Sequence, residues 1–518
     1  MSVKTDKQMK FKPSYKQLTI DAFRSSLDGL DKSNRWVWLG DHLPWEVYEK
    51  QYGQKLNNQN AGASAKPARM VIAAMIIKHA TRLSDVDTVE MIRENPYMQY
   101  FCGLGEFTDQ QVFDPSLFVD LRKRISEDDI NEMTKALFQR EQEMKEAARK
   151  REEEDARNRG EEPPSAPKED EDGSAFTDSK GREHKGVLKI DATCADAEVR
   201  YPVDVDLVED GCRVIDRFIR LICKSIGVKA PKTNYFKARE AYKYLVKMKK
   251  KGGKLVKDTM DVMLASLHKD ILTLMDLTAG EFRCRLELLR KDQRRVLEAT
   301  MKMYFQQEQM HRSGEHRCDD RIVSIFQPHI RPIVRGKASA KVEFGSKIGV
   351  SIVEGYNYID HHSWDAYNEG SDLQLHIDKY QARFGCLPAT VLADKIYMNK
   401  ANRAVLKDLE IKNNSRPLGR PPKEPPSPER QAEMARAAGQ RNEIECSFGT
   451  GKRVYQANDI RAKLPETAEC WTGMCYFAKN VMKFFRELCH VLIGLLRFFT
   501  MAVAWRRRSA PAFWADAN

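Results

Sequence analysis

Residues 187–193 read VLKIDAT, a short apolar and β-branched run in which Asp191 is expected to end or nearly end a strand. Such a run between polar segments predicts a β-strand. A second run, ATVLA at 389–393, is followed directly by Asp394. Because ligands gather at the carboxyl ends of strands in open α/β sheets, we expect the two aspartates to converge at one edge of a sheet.

The segments around these runs predict a mixed α/β domain over 187–518. Between the two runs, residues of about 205–320 carry helical apolar stripes such as VIDRFIRLI at 214–222. Residues 341–359, KVEFGSKIGVSIVEGYNYI, predict a pair of strands, and a Pro-rich segment at 416–428 precedes a helix that carries Glu445. The order is therefore strand, long helical insertion, hairpin, strand and helix.

Residues 1–138 predict an all-α domain, and 139–186 predict a charged helix that frays into a disordered linker. One helix is expected after Pro67, a second after Ser84–Asp85 and a third after Asp114-Pro115. The third ends in Arg122, Lys123 and Arg124, which predict contacts with DNA. A helical bundle with a solvated basic end explains the same pattern equally well.

The composition favours a polyanionic partner and a reducing compartment. The 518 residues carry a net charge of +12, which suits nucleic acid. Eleven scattered cysteines without a CxxC pair indicate neither a disulfide framework nor a structural zinc site. We expect a cytoplasmic, nucleoid-associated protein without a secretion signal or membrane anchor, and we interpret the apolar run at 490–505 as a buried helix. Because no phosphate-binding or dinucleotide loop occurs in the sequence, no nucleotide cofactor is expected.

The stretch RNEIECSFGTGK at 441–452 spaces Arg441, Glu445 and Lys452 four and seven residues apart. These intervals place the three side chains on one face of an α-helix. The face is either an ion-paired helix surface, or a site in which Glu445 holds a metal while the two cations hold a phosphate. With Asp191 and Asp394, Glu445 would complete a set of oxygen ligands for Mg²⁺. Because the chain has 75 acidic residues, the spacing alone leaves both interpretations open.

Several stretches resemble bacterial insertion-sequence transposases of the DDE class, in particular the IS-five-type group. They comprise residues 67–104, FDPSLFVDLRKRI, IDAT with AEVRYPVD, VEFGSKIGVSI, VLADKIY and RNEIECSFGTGKRVYQANDIRAKLPET. The family's three carboxylates fall on Asp191, Asp394 and Glu445, and its helix cations fall on Arg441 and Lys452. Two positions depart from the family pattern, since Ala438 replaces a tyrosine and Ile396 replaces a glycine.

The resemblance implies an RNase H-like catalytic core with a helical insertion, preceded by an all-α DNA-binding domain. It also implies Mg²⁺, or Mn²⁺ in its place, as the cofactor. The expected function is binding of terminal inverted repeats, followed by DNA strand cleavage and strand transfer into target DNA by a homodimer on paired ends. The alternative is a non-catalytic DNA-binding protein, either a decayed transposase copy or a repressor of transposition.

Two further motifs are open to metal or DNA interpretations. RPLGRPPKEPP at 416–426 resembles an AT-hook core, but a Pro-rich linker explains it more simply. Asp360, His361 and His362 are candidate metal ligands, but adjacent strand residues point to opposite faces. We therefore interpret the three as ordinary polar surface residues.

Overall fold

The computed structural model describes residues 27, 29–56, 65–160, 173–278, 286–334, 342–413 and 427–508. The side chains of residues 428–430, 433, 434, 438 and 489–508 lie outside this description, as does the AT-hook-like stretch at 416–426. The chain divides into two compact units. The first comprises Met1–Arg124, Ala136–Arg151 and Val481–Asn518, and the second comprises Ile125–Lys135 and Glu152–Asn480, in their described parts.

The first unit is all-α. Its helices are α1 Arg35–His42, α2 Trp45–Gly53, α3 Ala68–Thr81, α4 Asp85–Glu94, α5 Pro96–Phe101, α6 Leu117–Arg124, and parts of α7 Glu127–Arg159 and α15 Pro465–Arg508. The three helices expected from the sequence are α3, α4 and α6. Pro67 occupies the N-cap position of α3 without a capping hydrogen bond, and Ser84 caps α4 by accepting a hydrogen bond from the Asp87 N–H.

The predicted DNA-contacting end of α6 is only partly available. Arg122 is buried, with 5% of its side chain exposed, and it forms an ion pair with Asp85. Lys78 is also buried and bonds the same Asp85 oxygen at 2.9 Å. A buried, paired guanidinium is part of the protein core. Arg122 is therefore not accessible to a DNA phosphate in this structure. Lys123 is exposed, and Arg124 donates a hydrogen bond to the Tyr52 hydroxyl at 3.1 Å.

The segment 139–186 begins with the charged helix that the sequence predicted. Helix α7 starts in a capping box formed by Ser126 and Asp129 and continues to Arg159. Charged pairs one turn apart stabilise it, such as Glu146 with Lys150 at 2.7 Å. A hairpin of β1 Phe176–Thr177 and β2 Glu183–His184 follows after residues 161–172, which lie outside the described residues.

The second unit contains a six-stranded sheet. Its strands are β3 Val187–Asp196, β4 Arg331–Val334, β5 Val342–Val353, β6 Tyr356–Ser363, β7 Thr390–Ala393 and β8 Lys412–Asn413. They are arranged β4-β5-β3-β7-β8, and β6 also pairs with β5. Strand β3 is antiparallel to β5 and parallel to β7, which is parallel to β8. The mixed α/β fold expected from the sequence is confirmed.

Helices and short turns accompany this sheet. They are α12 Leu373–Phe384, α13 Lys400–Asp408, α14 Pro428–Tyr455, the first part of α15, and the 3-10 turns Glu369–Ser371 and Lys395–Tyr397. Helix α14 contacts both β3 and β7. Within the described part of the chain, no helix is both long and apolar enough to cross a membrane.

Four helices are inserted in the chain between β3 and β4. They are α8 Asp204–Ser225, α9 Tyr235–Lys247, α10 Gly253–Thr278 and α11 Lys291–Ser313. Their apolar faces form a core of their own, which includes Ile215, Leu267 and Met303. A Cβ atom at Gly211 would lie 2.6 Å from the Met303 side chain, so α8 and α11 approach closely because this residue is glycine.

The structure corrects the interpretation of Asp360 as a surface residue. Ile359 pairs with Val350 and His361 pairs with Gly349, so Asp360 occupies a β-bulge that interrupts the alternation of faces. The Asp360 carboxylate is buried, where it pairs with Arg383 and lies 2.6 Å from His376 Nδ1. Although burial acts to raise it, these partners hold the pKa of Asp360 below its usual value.

Substituting Arg383 should destabilise the second unit strongly. Arg383→Met leaves the Asp360 carboxylate buried beside His376 without its guanidinium partner, and we expect a loss of about 3–5 kcal/mol in the free energy of unfolding. Chemical denaturation measures this loss. Lys379→Met is the control, because Lys379 forms an exposed pair with Asp128 and should cost less than about 1 kcal/mol. Equal effects of the two substitutions would contradict a structural role for the buried pair.

Candidate active site

The sheet register places Asp191 and Asp394 side by side. Ile190 on β3 aligns with Ala393, the last residue of the parallel strand β7. Asp191 and Asp394 are the next residues along the two segments. Strand β3 continues to Asp196, so Asp191 lies within its strand and not at the end that the sequence predicts, whereas Asp394 directly follows β7. Residues aligned in this way direct their side chains to the same face of a sheet, so the two carboxylates face the same region.

Backbone N–H groups fix both aspartates. Asp191 Oδ1 accepts a hydrogen bond from the Ala192 N–H at 2.8 Å. Asp394 caps the turn Lys395–Tyr397, and its Oδ1 accepts a bond from the Lys395 N–H at 2.7 Å. Each carboxylate keeps its second oxygen for another partner. The sheet and the turn therefore hold these two groups rigidly.

Helix α14 carries the third carboxylate, Glu445, and Arg441 of the same helix connects it to Asp394. The Arg441 Nη2 atom lies 3.4 Å from Asp394 Oδ1 and 3.6 Å from Glu445 Oε1. Since both oxygens contact the same nitrogen, they are at most 7.0 Å apart. Glu445 is 66% exposed, so its carboxylate is open to solvent and to a ligand. Arg441 is therefore more than an intrahelical partner of Glu445, because it links the helix to the end of β7.

Glu443, the neighbouring candidate, has a different environment. Its carboxylate forms an ion pair with Lys189, which lies on β3 two residues before Asp191. This pairing already neutralises Glu443. Glu445 is the glutamate of α14 that shares Arg441 with Asp394. The contacts thus favour Glu445 as the third acidic residue, in line with the spacing to the two cations.

Buried polar contacts set the position of α14. Ser447 Oγ donates a hydrogen bond to Asn357 Oδ1 on β6 at 2.5 Å, and Lys479 donates one to Ser447 at 2.7 Å. Asn480 in turn donates a bond to the Asn357 carbonyl at 2.9 Å. Ile444 is buried on the same helix. These contacts fix the inner face of α14 and leave Glu445 on its outer face.

The electrostatics of Asp191 differ from those of an ordinary surface aspartate. Burial raises the pKa of Asp191 to about 6, and the charges of Glu369 and Asp394 add to this rise, while the Ala192 N–H and Arg441 oppose it. Ionised Asp191 therefore carries a cost in the absence of a cation. A strongly shifted carboxyl beside other carboxylates is typical of functional sites.

Glu369 is a site residue that the sequence did not indicate. It lies in the turn Glu369–Ser371 and pairs with Lys347 of β5 at 2.7 Å. The next residue must be small, because a Cβ atom at Gly370 would lie 2.4 Å from the Ile396 carbonyl oxygen. Ile396 itself is exposed, so the side chain that replaces the family's glycine points to solvent. No spacing or motif marks Glu369, since only the packing of two turns brings it here.

Lys452 lies on α14 as expected but farther along the site. It makes no ion pair within the described part of the chain, and its charge acts on the Cys194 thiol of β3, whose pKa burial raises. Cys194, Asp196 and Glu343 form the one group among the described residues whose ligand atoms all lie within 4.8 Å of one another. Asp191, Asp394 and Glu445 are therefore not drawn together this closely.

Comparisons with known families agree with this arrangement. A family described as "Transposase domain (DUF772)" matches residues 25–124, and one described as "Transposase DDE domain" matches residues 391–481. These two matches support an insertion-sequence DDE transposase. The DDE match includes Asp394, Arg441, Glu445 and Lys452, and the first match includes the basic end of α6. Neither match specifies the IS-five-type group.

Other comparisons with this chain are limited. It is 32% identical over 117 residues to "Uncharacterized protein ORF8 in nfe locus" of Rhizobium meliloti. The match covers 22% of this chain, which spans about half (56%) of that relative's length. No solved structure matches the chain.

The raised pKa of Asp191 predicts a pH-dependent gain in stability for Asp191→Asn. Well below the unfolded-state pKa of 3.8 the aspartate is protonated in the folded and unfolded states, so the substitution should change little. As pH rises through about 6, ionisation destabilises only the wild-type fold, and the variant should become about 2 kcal/mol more stable by pH 8.

Melting curves in chelator between pH 4 and 8 measure this difference. Glu445→Gln is the control, because removing an exposed carboxylate should give a nearly constant, small offset. A difference between Asp191→Asn and wild type that does not grow with pH would show that burial does not disfavour the Asp191 charge.

Proposed function

We propose that this transposase binds the terminal inverted repeats of its element and catalyses Mg²⁺-dependent DNA strand cleavage and strand transfer. The observation that carries the proposal is the pairing of Arg441 with both Asp394 and Glu445, next to Asp191 in register. It supports an enzyme over the non-catalytic alternative, because a DNA-binding protein needs no such set of carboxylates.

The three carboxylates suit a hard divalent cation. Asp191, Asp394 and Glu445 offer oxygen ligands only, which Mg²⁺ prefers and Mn²⁺ also accepts. The cost of ionising Asp191 would fall once a cation is present. When bound, the metal would activate a water or a 3′-hydroxyl and stabilise the leaving oxygen of a phosphodiester. Asp191 and Asp394 would hold it from rigid positions, whereas exposed Glu445 would turn inward from α14.

Arg441 is proposed to exchange partners. Its guanidinium offsets the repulsion between Asp394 and Glu445 in the metal-free protein. Once a cation supplies that positive charge, Arg441 can bond a phosphate oxygen through its two-pronged donor geometry. Lys452, which has no acidic partner among the described residues, would bind a phosphate farther along the DNA.

The fold and the first unit support the same proposal. The sheet places β6, β5, β3, β7 and β8 side by side, with β7 and β8 parallel to β3, which is the arrangement expected of an RNase H-like core. We propose residues 1–138 as the DNA-binding domain, with exposed Lys123 and partly buried Arg124 as phosphate contacts and buried Arg122 as their structural support. Two DNA ends require coordination, and a homodimer would provide it.

Isosteric removal of each carboxylate should abolish the chemistry. Asp191→Asn, Asp394→Asn and Glu445→Gln should each lower single-turnover cleavage of a DNA end by at least about a thousandfold, because each loses a charged metal ligand. Mn²⁺ binding, followed by calorimetry, should weaken in parallel. Glu443→Gln is the matched control on α14 and should stay within about threefold of wild type.

A variant that cleaves at the wild-type rate would remove its residue from the proposed metal site. If the wild-type protein binds DNA ends but cleaves none in Mg²⁺ or Mn²⁺, the non-catalytic alternative is correct.

Loss of either helix cation should slow the reaction without unfolding the protein. Arg441→Gln and Lys452→Gln should each reduce cleavage or strand transfer about a hundredfold, equivalent to about 3 kcal/mol of transition-state stabilisation. Their melting temperatures should hardly change, because exposed ion pairs contribute only about 0–1 kcal/mol. Arg453→Gln is the control, since exposed Arg453 adjoins Lys452 and its one hydrogen bond to a described residue is to the Gly449 carbonyl of its own helix. Full activity of both variants would return the helix face to an ordinary ion-paired surface.

A further inference from the structure

The positive charge of the chain is concentrated in one part of the helical insertion. Residues 224–257 contain twelve lysines and arginines and one acidic residue, Glu240, which gives this segment a net charge of +11. The whole chain has a net charge of +12, so the remaining residues are almost balanced. The segment runs from the end of α8 through α9 to the start of α10.

All twelve basic side chains of this segment are exposed. They are Lys224, Lys229, Lys232, Lys237, Arg239, Lys243, Lys247, Lys249, Lys250, Lys251, Lys254 and Lys257, which we call the insertion basic surface. Among the described residues, Lys243 is the only member with an acidic partner, Glu240 at 3.4 Å. Like charges gathered in this way repel one another, and a bound polyanion would relieve that repulsion.

The acidic residues nearby are directed to the other side of α9. Tyr242 donates a hydrogen bond to Asp206 at 2.7 Å, and Tyr235 donates one to Glu209 at 3.1 Å. The Asn234 N–H bonds Asp270, a buried residue of α10, at 2.8 Å. These carboxylates anchor the inner face of α9 and cannot neutralise its outer face. The fold therefore separates acids from bases across one helix.

Exposed aromatic side chains lie among the basic residues. Phe236 is 74% exposed and Tyr244 is 56% exposed, and both belong to α9. Their helix neighbours Lys237 and Lys243 carry the charge. A surface that combines lysines with exposed aromatic rings is typical of nucleic-acid-binding proteins.

We propose that the insertion basic surface binds the phosphate backbone of duplex DNA, as a second DNA contact separate from the catalytic carboxylates. The inference rests on the proposed function, which makes DNA the polyanion that this protein meets. Helix α9 has 13 residues and is about 20 Å long, which matches about six phosphates along one strand. No base-reading geometry is required, so the contact is independent of sequence and strengthens binding of DNA flanking the cleaved end.

Binding of a 30-base-pair duplex by the full-length protein, in chelator and over a range of salt concentrations, tests this proposal. The test variant is Lys237→Gln, Lys247→Gln, Lys249→Gln and Lys250→Gln combined. The control combines Lys269→Gln, Lys291→Gln, Lys302→Gln and Arg312→Gln, exposed residues elsewhere in the insertion. Both variants lower the net charge by four, so the comparison tests where the charge is lost. The control also breaks the pairs of Lys302 with Asp320 and of Arg312 with Glu308. Melting curves establish that both are folded.

The test variant should bind duplex at least tenfold more weakly than the control at 0.1 M salt. Its plot of log affinity against log salt should be shallower by about 3.6, since each of the four lost phosphate contacts removes about 0.9 from the slope. Equal slopes and affinities for the two variants would overturn the proposal. It would also be overturned if the test substitutions weakened only binding to vesicles of acidic phospholipid and left duplex binding unchanged.

Cleavage assays keep this inference separate from the proposed function. If duplex binding shows the expected difference but the wild-type protein cleaves no DNA, the binding surface stands and the catalytic proposal falls. If cleavage occurs and the two variants bind alike, the catalytic proposal stands and the insertion basic surface has no role in DNA binding.

Discussion

The parallel pairing of β3 with β7 is the constraint on which the rest of the candidate site depends. Because Ile190 aligns with Ala393, the chain has no means of separating Asp191 from Asp394 without breaking the sheet. Two carboxylates fixed on one face repel each other, and burial of Asp191 adds to the cost. The position of α14 and the orientation of Arg441 bring positive charge to these two aspartates, and they leave room there for a cation.

In the metal-free protein, Arg441 offsets the repulsion between Asp394 and Glu445, and it places a phosphate-binding guanidinium at the site. It bonds Asp394 and Glu445, which lie on separate elements, so its position depends on both. Lys347 has a similar relation to Glu369 at the neighbouring turn. Each cation of the site is thus paired with particular carboxylates. A divalent ion would replace some of these ion pairs, and the buried hydrogen bonds that position α14 would remain.

The sequence predicted what depends on local pattern and missed what depends on tertiary contacts. Asp191 and Asp394 were found because each follows or lies within a short apolar run, and Arg441, Glu445 and Lys452 were found from helical spacing. The burial of Arg122 could not be predicted, because its partner Asp85 lies on another helix. Glu369 reaches the site only through the contact of Gly370 with the turn after Asp394. The bulge at Asp360 reverses a simple alternation that the sequence alone suggests.

The position of the helical insertion also affects how the protein is made. Strand β3 emerges from the ribosome long before its antiparallel partner β5, since residues 189–196 pair with residues 345–352. At a synthesis rate of about 5–20 residues per second, the delay is about 8–30 seconds. During that time β3 is an unpaired apolar strand, which is prone to aggregation. The four inserted helices have a core of their own and can fold while β3 waits, so they shorten the loop of flexible chain that the sheet must later close.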